Sequence, residues 1–141
     1  MTSAIKKIDI SSLKQGIEVI EQEMQGLKAL ASSLDENFSN AVDRILECKG
    51  RLVISGIGKS GHVARKIVAT LSSTGTPSIF VHASEASHGD LGMITEDDVV
   101  MLLSNSGESE ELSNIIDYCK RFSISIIGIA RNKNSTLIRA S

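Results

Sequence analysis

From Ile10 to Leu34 the apolar residues Leu13, Ile17, Ile20, Met24, Leu27, Ala31 and Leu34 recur at steps of three or four. That spacing draws one apolar stripe along an α-helix and predicts a helix in need of a partner surface. A second stretch, Glu36 to Lys49, places Phe38, Val42, Ile45 and Leu46 on one face, and Gly50 supplies a stop. Two helices therefore precede any strand.

After Gly50 the pattern changes to short apolar runs at Leu52–Ser55, Ser78–His82, Val99–Leu103 and Ile124–Ile129, each predicted to be a strand. Between them Val63, Ile67, Val68 and Leu71 mark one helix, and Leu112, Ile115, Ile116 and Cys119 another. Alternating strands and helices predict an α/β fold, a doubly wound parallel sheet flanked by helices with right-handed crossovers. Ligands of such sheets bind outside the carboxyl ends of the strands, near a topological switch point. Ala83 to Asp98 is less regular and predicts a long polar loop, and a short helix begins within Ser135–Ser141. The reading is one domain: helices over residues 1–49 packed on a sheet domain over 50–141.

At 141 residues with 41% apolar content, the chain is long enough for one sizeable core. Its net charge of -2 gives no basic field for nucleic acid, and one Tyr, three Phe and no Trp leave little for base stacking or an aromatic sugar platform. Recognition should rest on polar groups. Lys6 and Lys7 are followed by no apolar segment of membrane or signal length, so a cytoplasmic protein without a membrane partner is expected. Cys48 and Cys119 fall in predicted helices beside apolar neighbours, as structural thiols do.

Two strand-to-helix loops carry candidate chemistry. The first, Ser55-Gly56-Ile57-Gly58-Lys59-Ser60-Gly61-His62, satisfies GxGxxG, and with Glu85 near the end of the next strand it admits a dinucleotide-binding reading. A P-loop would need glycine where the chain has Val53. Glycines at such a turn allow a ligand to approach the backbone, and N–H groups at the helix start attract phosphate or carboxylate. Lys59 adds a cation; His62 is read equally well as a surface residue. The second loop, Ser104-Asn105-Ser106-Gly107-Glu108-Ser109-Glu110-Glu111, offers the hydroxyls of Ser104, Ser106 and Ser109 to a phosphate or sugar. Ser109 is also a candidate helix N-cap, with Glu110 and Glu111 complementing the helix dipole.

The segments GIGKSGH, STGTP, EASHGDLG and SNSGESEEL, in that order, resemble the sugar isomerase (SIS) domain of the D-arabinose-5-phosphate isomerase family from Gly50 to about Ala130. The resemblance implies a homotetramer that interconverts D-ribulose 5-phosphate and D-arabinose 5-phosphate through an enediol. The product feeds 3-deoxy-D-manno-octulosonate and lipopolysaccharide synthesis. It assigns catalysis to Lys59, His88 and Glu111: Glu111 for proton transfer, Lys59 for electrostatic stabilisation, His88 for substrate contact or ring opening. Substrate and phosphate binding fall to Ser55, Gly58, Ser60, Gly75, Thr76, Ser104, Asn105, Ser106 and Ser109. Gly75 and Thr76 precede a strand, so a neighbouring subunit is expected to bring them to the site.

His82 is a possible, non-essential metal contact by the same resemblance, but His82, His88 and Asp90 do not match a compact zinc motif. Proton transfer through an enediol needs no cofactor, and none is expected. Family members continue through a further strand and helices carrying another acidic residue and a histidine; nothing after Ala130 matches these, and an incomplete domain is expected. Two other readings stay open: a phosphosugar-binding regulatory domain without turnover, and a dinucleotide-binding domain.

Overall fold

A computed structural model of the chain describes residues 10–86 and 89–141. The chain divides into two compact units, residues up to Ser39 and Asn40–Ser141. In the first, α1 runs Ile10–Ser33, and α2 begins at Glu36 and continues to Leu46. Within this unit α1 leaves its stripe uncovered, with Leu13, Ile17, Ile20, Met24 and Leu27 each 50% exposed or more. No helix among the described residues is long and apolar enough to cross a membrane.

The second unit is built on four parallel strands, β1 (Leu52–Gly56), β2 (Ser78–Phe80), β3 (Val99–Leu103) and β4 (Ser125–Ile129), in the order β2-β1-β3-β4. α3 (Gly58–Ser73) follows β1, and α5 (Ser113–Arg121) follows β3. Alternation along each strand divides the core. Leu52, Ile54, Val99, Met101 and Leu103 point to one face, where Ala64, Ile67, Val68 and Leu71 of α3 cover them. Val53, Val100 and Leu102 point to the other, beneath Ile115, Ile116 and Cys119 of α5 and Leu137 of α6 (Thr136–Ala140). Coverage of both faces is why β1 and β3 are buried at every position.

The expected doubly wound sheet is present, with differences at element ends. α2 stops at Leu46, and Cys48 lies in the turn after it, where its amide donates to the Ile45 carbonyl and its thiol contacts the Asp97 carbonyl at 3.4 Å. Cys119 sits in the core, and burial pushes its thiol up to about 12, as an inert thiol requires. The segment expected to be a polar loop holds α4 (Ala83–Ala86) and a 3-10 turn at Asp90–Met93, because Ala83, Ala86 and Ile94 are drawn into the core.

Asp98 is the buried carboxylate of this unit. Oδ1 accepts from the Arg51 amide at 2.7 Å, and Oδ2 from the Thr95 amide at 2.9 Å and the Arg51 guanidinium at 3.4 Å. Burial alone would raise its pKa, but the Thr95 and Arg51 hydrogen bonds more than offset it and hold the group below its ordinary 3.8. Because the folded value is the lower one, the stabilisation is complete above the ordinary value and is lost as pH falls through the folded value. Asp98→Ala is expected to cost about 2–3 kcal/mol at neutral pH and to flatten the acid limb of a pH-dependent denaturant titration.

Candidate functional site

α3 lies on one face of the sheet and α5 on the other, so the chain diverges in opposite directions after the adjacent strands β1 and β3. That divergence is the topological switch point, and it leaves a crevice at the carboxyl ends. A cleft of about 220 Å³ lies there, its lining including Ser60, Leu103, Ser104, Asn105, Ile129 and Arg131. The strand order also bears on the dinucleotide reading. A dinucleotide-binding half-sheet places its third strand outside the second; here β3 pairs with β1 instead.

The first loop is shaped by close approach. A Cβ on Gly61 would stand 2.7 Å from the Gly56 carbonyl oxygen, so glycine is what lets α3 start directly against the end of β1. Ile57, at the N-cap position, offers no side-chain cap to α3, and its first-turn amides face the crevice end of the sheet without one. Ser60, in that first turn, lines the cleft. Gly58, Lys59 and His62 lie around it, and Lys59 is not part of the lining. Ser55 is fully buried at the end of β1, and its hydroxyl makes no hydrogen bond among the described residues.

The second loop is held by its own hydroxyls. Ser104, buried, accepts the Gly107 amide at 3.0 Å and shares a hydrogen bond with the Ser109 hydroxyl at 2.9 Å. Ser106 accepts the Glu108 amide at 3.1 Å. Ser109 occupies an N-cap position without capping through its side chain, since its hydroxyl is used on Ser104. The helix expected to open there is preceded by a 3-10 turn at Glu110–Leu112 that carries exposed Glu111.

Ser60, Ser104 and Asn105 therefore share one cleft, with Ser55, Ser106 and Ser109 in the same two loops. Gly75 and Thr76 lie elsewhere, at the amino end of β2, where the Thr76 amide donates to the Leu71 carbonyl. His82 follows β2; its Nδ1 accepts from the Ser84 amide at 3.3 Å, and its ring meets Phe80 edge-on. Among the described residues no three His, Cys, Asp or Glu side chains cluster as a metal site would. His88 lies outside the described residues. Arg131 is a lining residue that sequence reading passes over. The rule that directs attention to the ends of β1 and β3 applies equally to the end of β4, where the Arg131 amide donates to the Asn105 carbonyl at 3.1 Å.

A parallel doubly wound sheet with two serine- and glycine-rich loops at its switch point places the chain among α/β domains that bind ligands at the carboxyl ends of their strands, and the family model described as SIS domain matches residues 45–141. The chain belongs to the SIS domain family. It is 48% identical over 126 residues to the arabinose 5-phosphate isomerase KdsD of Yersinia pestis, covering 89% of this chain and 38% of that protein. It is 52% identical over 123 residues to the Rickettsia prowazekii protein RP505, covering 87% of this chain and 39% of that one. The chain thus spans well under half the length of these relatives. The structure of the E. coli CFT073 protein c3406 in complex with arabinose 5-phosphate superposes with a TM-score of 0.86 at 39% identity, over 94% of this chain and 71% of that one.

Proposed function

We propose that this chain supplies the substrate-binding sheet of an aldose–ketose isomerase that interconverts D-ribulose 5-phosphate and D-arabinose 5-phosphate. The observation that carries the reading is the convergence of Ser60, Ser104 and Asn105 on one cleft at the switch point. The resemblance to KdsD and to a structure that holds arabinose 5-phosphate supports it. In the forward direction a base removes the C1 proton of the ketose while the C2 carbonyl oxygen gains a proton. The protonated base then delivers that proton to C2 of the enediol, and the C1 hydroxyl gives its own proton back to the group that protonated the C2 oxygen, leaving the aldehyde. Glu111 is the proposed base, Lys59 stabilises the enediolate, and His88 contacts the substrate or opens the ring. The product would supply 3-deoxy-D-manno-octulosonate for lipopolysaccharide in the cytoplasm.

The assay is exchange of the aldose C2 proton of arabinose 5-phosphate in D2O. Exchange dependent on Glu111 supports isomerisation; stabilisation by the sugar phosphate without exchange supports the second reading, a binding domain without turnover. One observation favours that alternative: Ser60, Ser104 and Asn105 line the cleft, whereas Lys59 and Glu111 do not.

Ser55 offers a separate check. A buried hydroxyl without a partner costs about 1–3 kcal/mol, so Ser55→Ala is expected to raise stability slightly while weakening arabinose 5-phosphate binding. A thermal melt and a binding titration on the same sample read both; unchanged affinity would remove Ser55 from the site. The tetramer is likewise part of the proposal. The exposed stripe of α1, with Ile17, Ile20 and Met24 at its middle, suits burial against a second copy.

A further inference from the structure

We infer that Glu108 is a positioning residue that holds the 104–109 loop in its anion-binding shape by capping the first turn of α6. The inference rests on the phosphosugar reading of that loop. Glu108 Oε1 accepts the Thr136 amide at 2.9 Å, and one residue earlier the Gly107 carbonyl accepts the Leu137 amide at 3.0 Å. Gly107 also packs against the side chain of Ser135, which is fully buried, and Leu137 is anchored in the core. Two consecutive loop residues are thus fastened to three consecutive residues at the start of α6.

The direction of the carboxylate matters as much as the bond. A loop that receives a phosphate dianion gains nothing from a carboxylate pointing among its hydroxyls, and like charges there would repel. Glu108 instead turns onto α6, where Arg139 sits beside it, its guanidinium donating to the Thr136 hydroxyl at 3.0 Å. The Thr136 hydrogen bonds hold the Glu108 carboxyl below its usual range, consistent with a permanently ionised cap and not with a group that cycles protons. Glu108 is also exposed, and substitution of an ordinary exposed glutamate barely changes stability and leaves a binding site elsewhere untouched.

The test compares Glu108→Ala and Glu108→Gln with the wild-type chain by titration with arabinose 5-phosphate and with inorganic phosphate, alongside amide hydrogen exchange. Removing the acceptor in Glu108→Ala is expected to weaken both ligands about tenfold and to speed exchange at Thr136 by a similar factor, with β3 amides unchanged. Glu108→Gln keeps an oxygen acceptor and is expected to stay within about threefold of wild type. Wild-type affinity in Glu108→Ala, or a Gln variant as weak as the Ala variant, would overturn the inference alone. A wild-type chain that binds neither ligand would overturn the phosphosugar reading and the inference with it.

Discussion

Glu111→Gln is expected to lower C2 proton exchange from arabinose 5-phosphate by about 100- to 10,000-fold while leaving sugar-phosphate affinity near the wild-type value, the span by which a positioned base accelerates proton transfer. The substitution is nearly isosteric and Glu111 is exposed, so the fold should not register it. Its neighbours sharpen the expectation. Glu108 is engaged with the Thr136 amide, and the carbonyl of Glu110 accepts the Ser113 hydroxyl at 2.5 Å, which fixes the turn through Glu110–Leu112. Buried Leu112 anchors that turn from below, so the exposed carboxylates of Glu110 and Glu111 are both presented by a braced one-turn segment. Glu110→Gln in parallel is expected to change exchange by no more than about twofold. Near-normal exchange in a pure, folded Glu111→Gln sample would remove the residue from the mechanism.

Gly107→Ala is expected to destabilise the chain by about 2–4 kcal/mol and to abolish sugar-phosphate binding at concentrations that saturate the wild type. Two costs add. Gly107 has φ +73°, where an L side chain is strained by about 1–2 kcal/mol, and its Cβ would be driven into the side chain of buried Ser135. Ser135 has no room to retreat, because its hydroxyl already accepts the Ile138 amide at the start of α6. Any relief must therefore move the loop, and with it the Ser104 hydroxyl that accepts the Gly107 amide. Gly16→Ala in α1 is the matched control. A Cβ there meets nothing within 4 Å, so replacing a helical glycine should be neutral or stabilising by about 0.5–1 kcal/mol. Chemical denaturation of both variants gives the comparison, and equal effects would show that Gly107 is not specially constrained.

Much of the sheet was legible because its signal is local. A run such as Val99–Leu103, apolar at every position, suits a strand buried on both faces, and its alternation with helical segments points to a helix-covered parallel sheet; the structure places it with β1 and β4 on either side. The two loops were legible because strand, glycine-rich turn and helix follow one another directly. What escaped was non-local. Nothing between Ala83 and Asp98 has a helical period long enough to announce α4, which forms because Ala83 and Ala86 pack into the core. The roles of Arg131 and Glu108 were equally hidden. Each acts through a contact more than twenty residues away, Arg131 with Asn105 and Glu108 with Thr136, and spacing along the chain does not encode such pairs. In α1 the helix was readable from its stripe, but what covers that stripe is not written in its period.

The proposed phosphosugar site is the cleft at the switch point, lined by the start of α3 and the carboxyl ends of β3 and β4. Its most direct test is an NMR titration of the chain with arabinose 5-phosphate, run beside NAD. Saturable amide shifts confined to residues 55–61, 104–109 and 129–131 with the sugar phosphate, and none with NAD, are the predicted result. Shifts elsewhere, no saturation, or a response to NAD in preference to the sugar phosphate would contradict it.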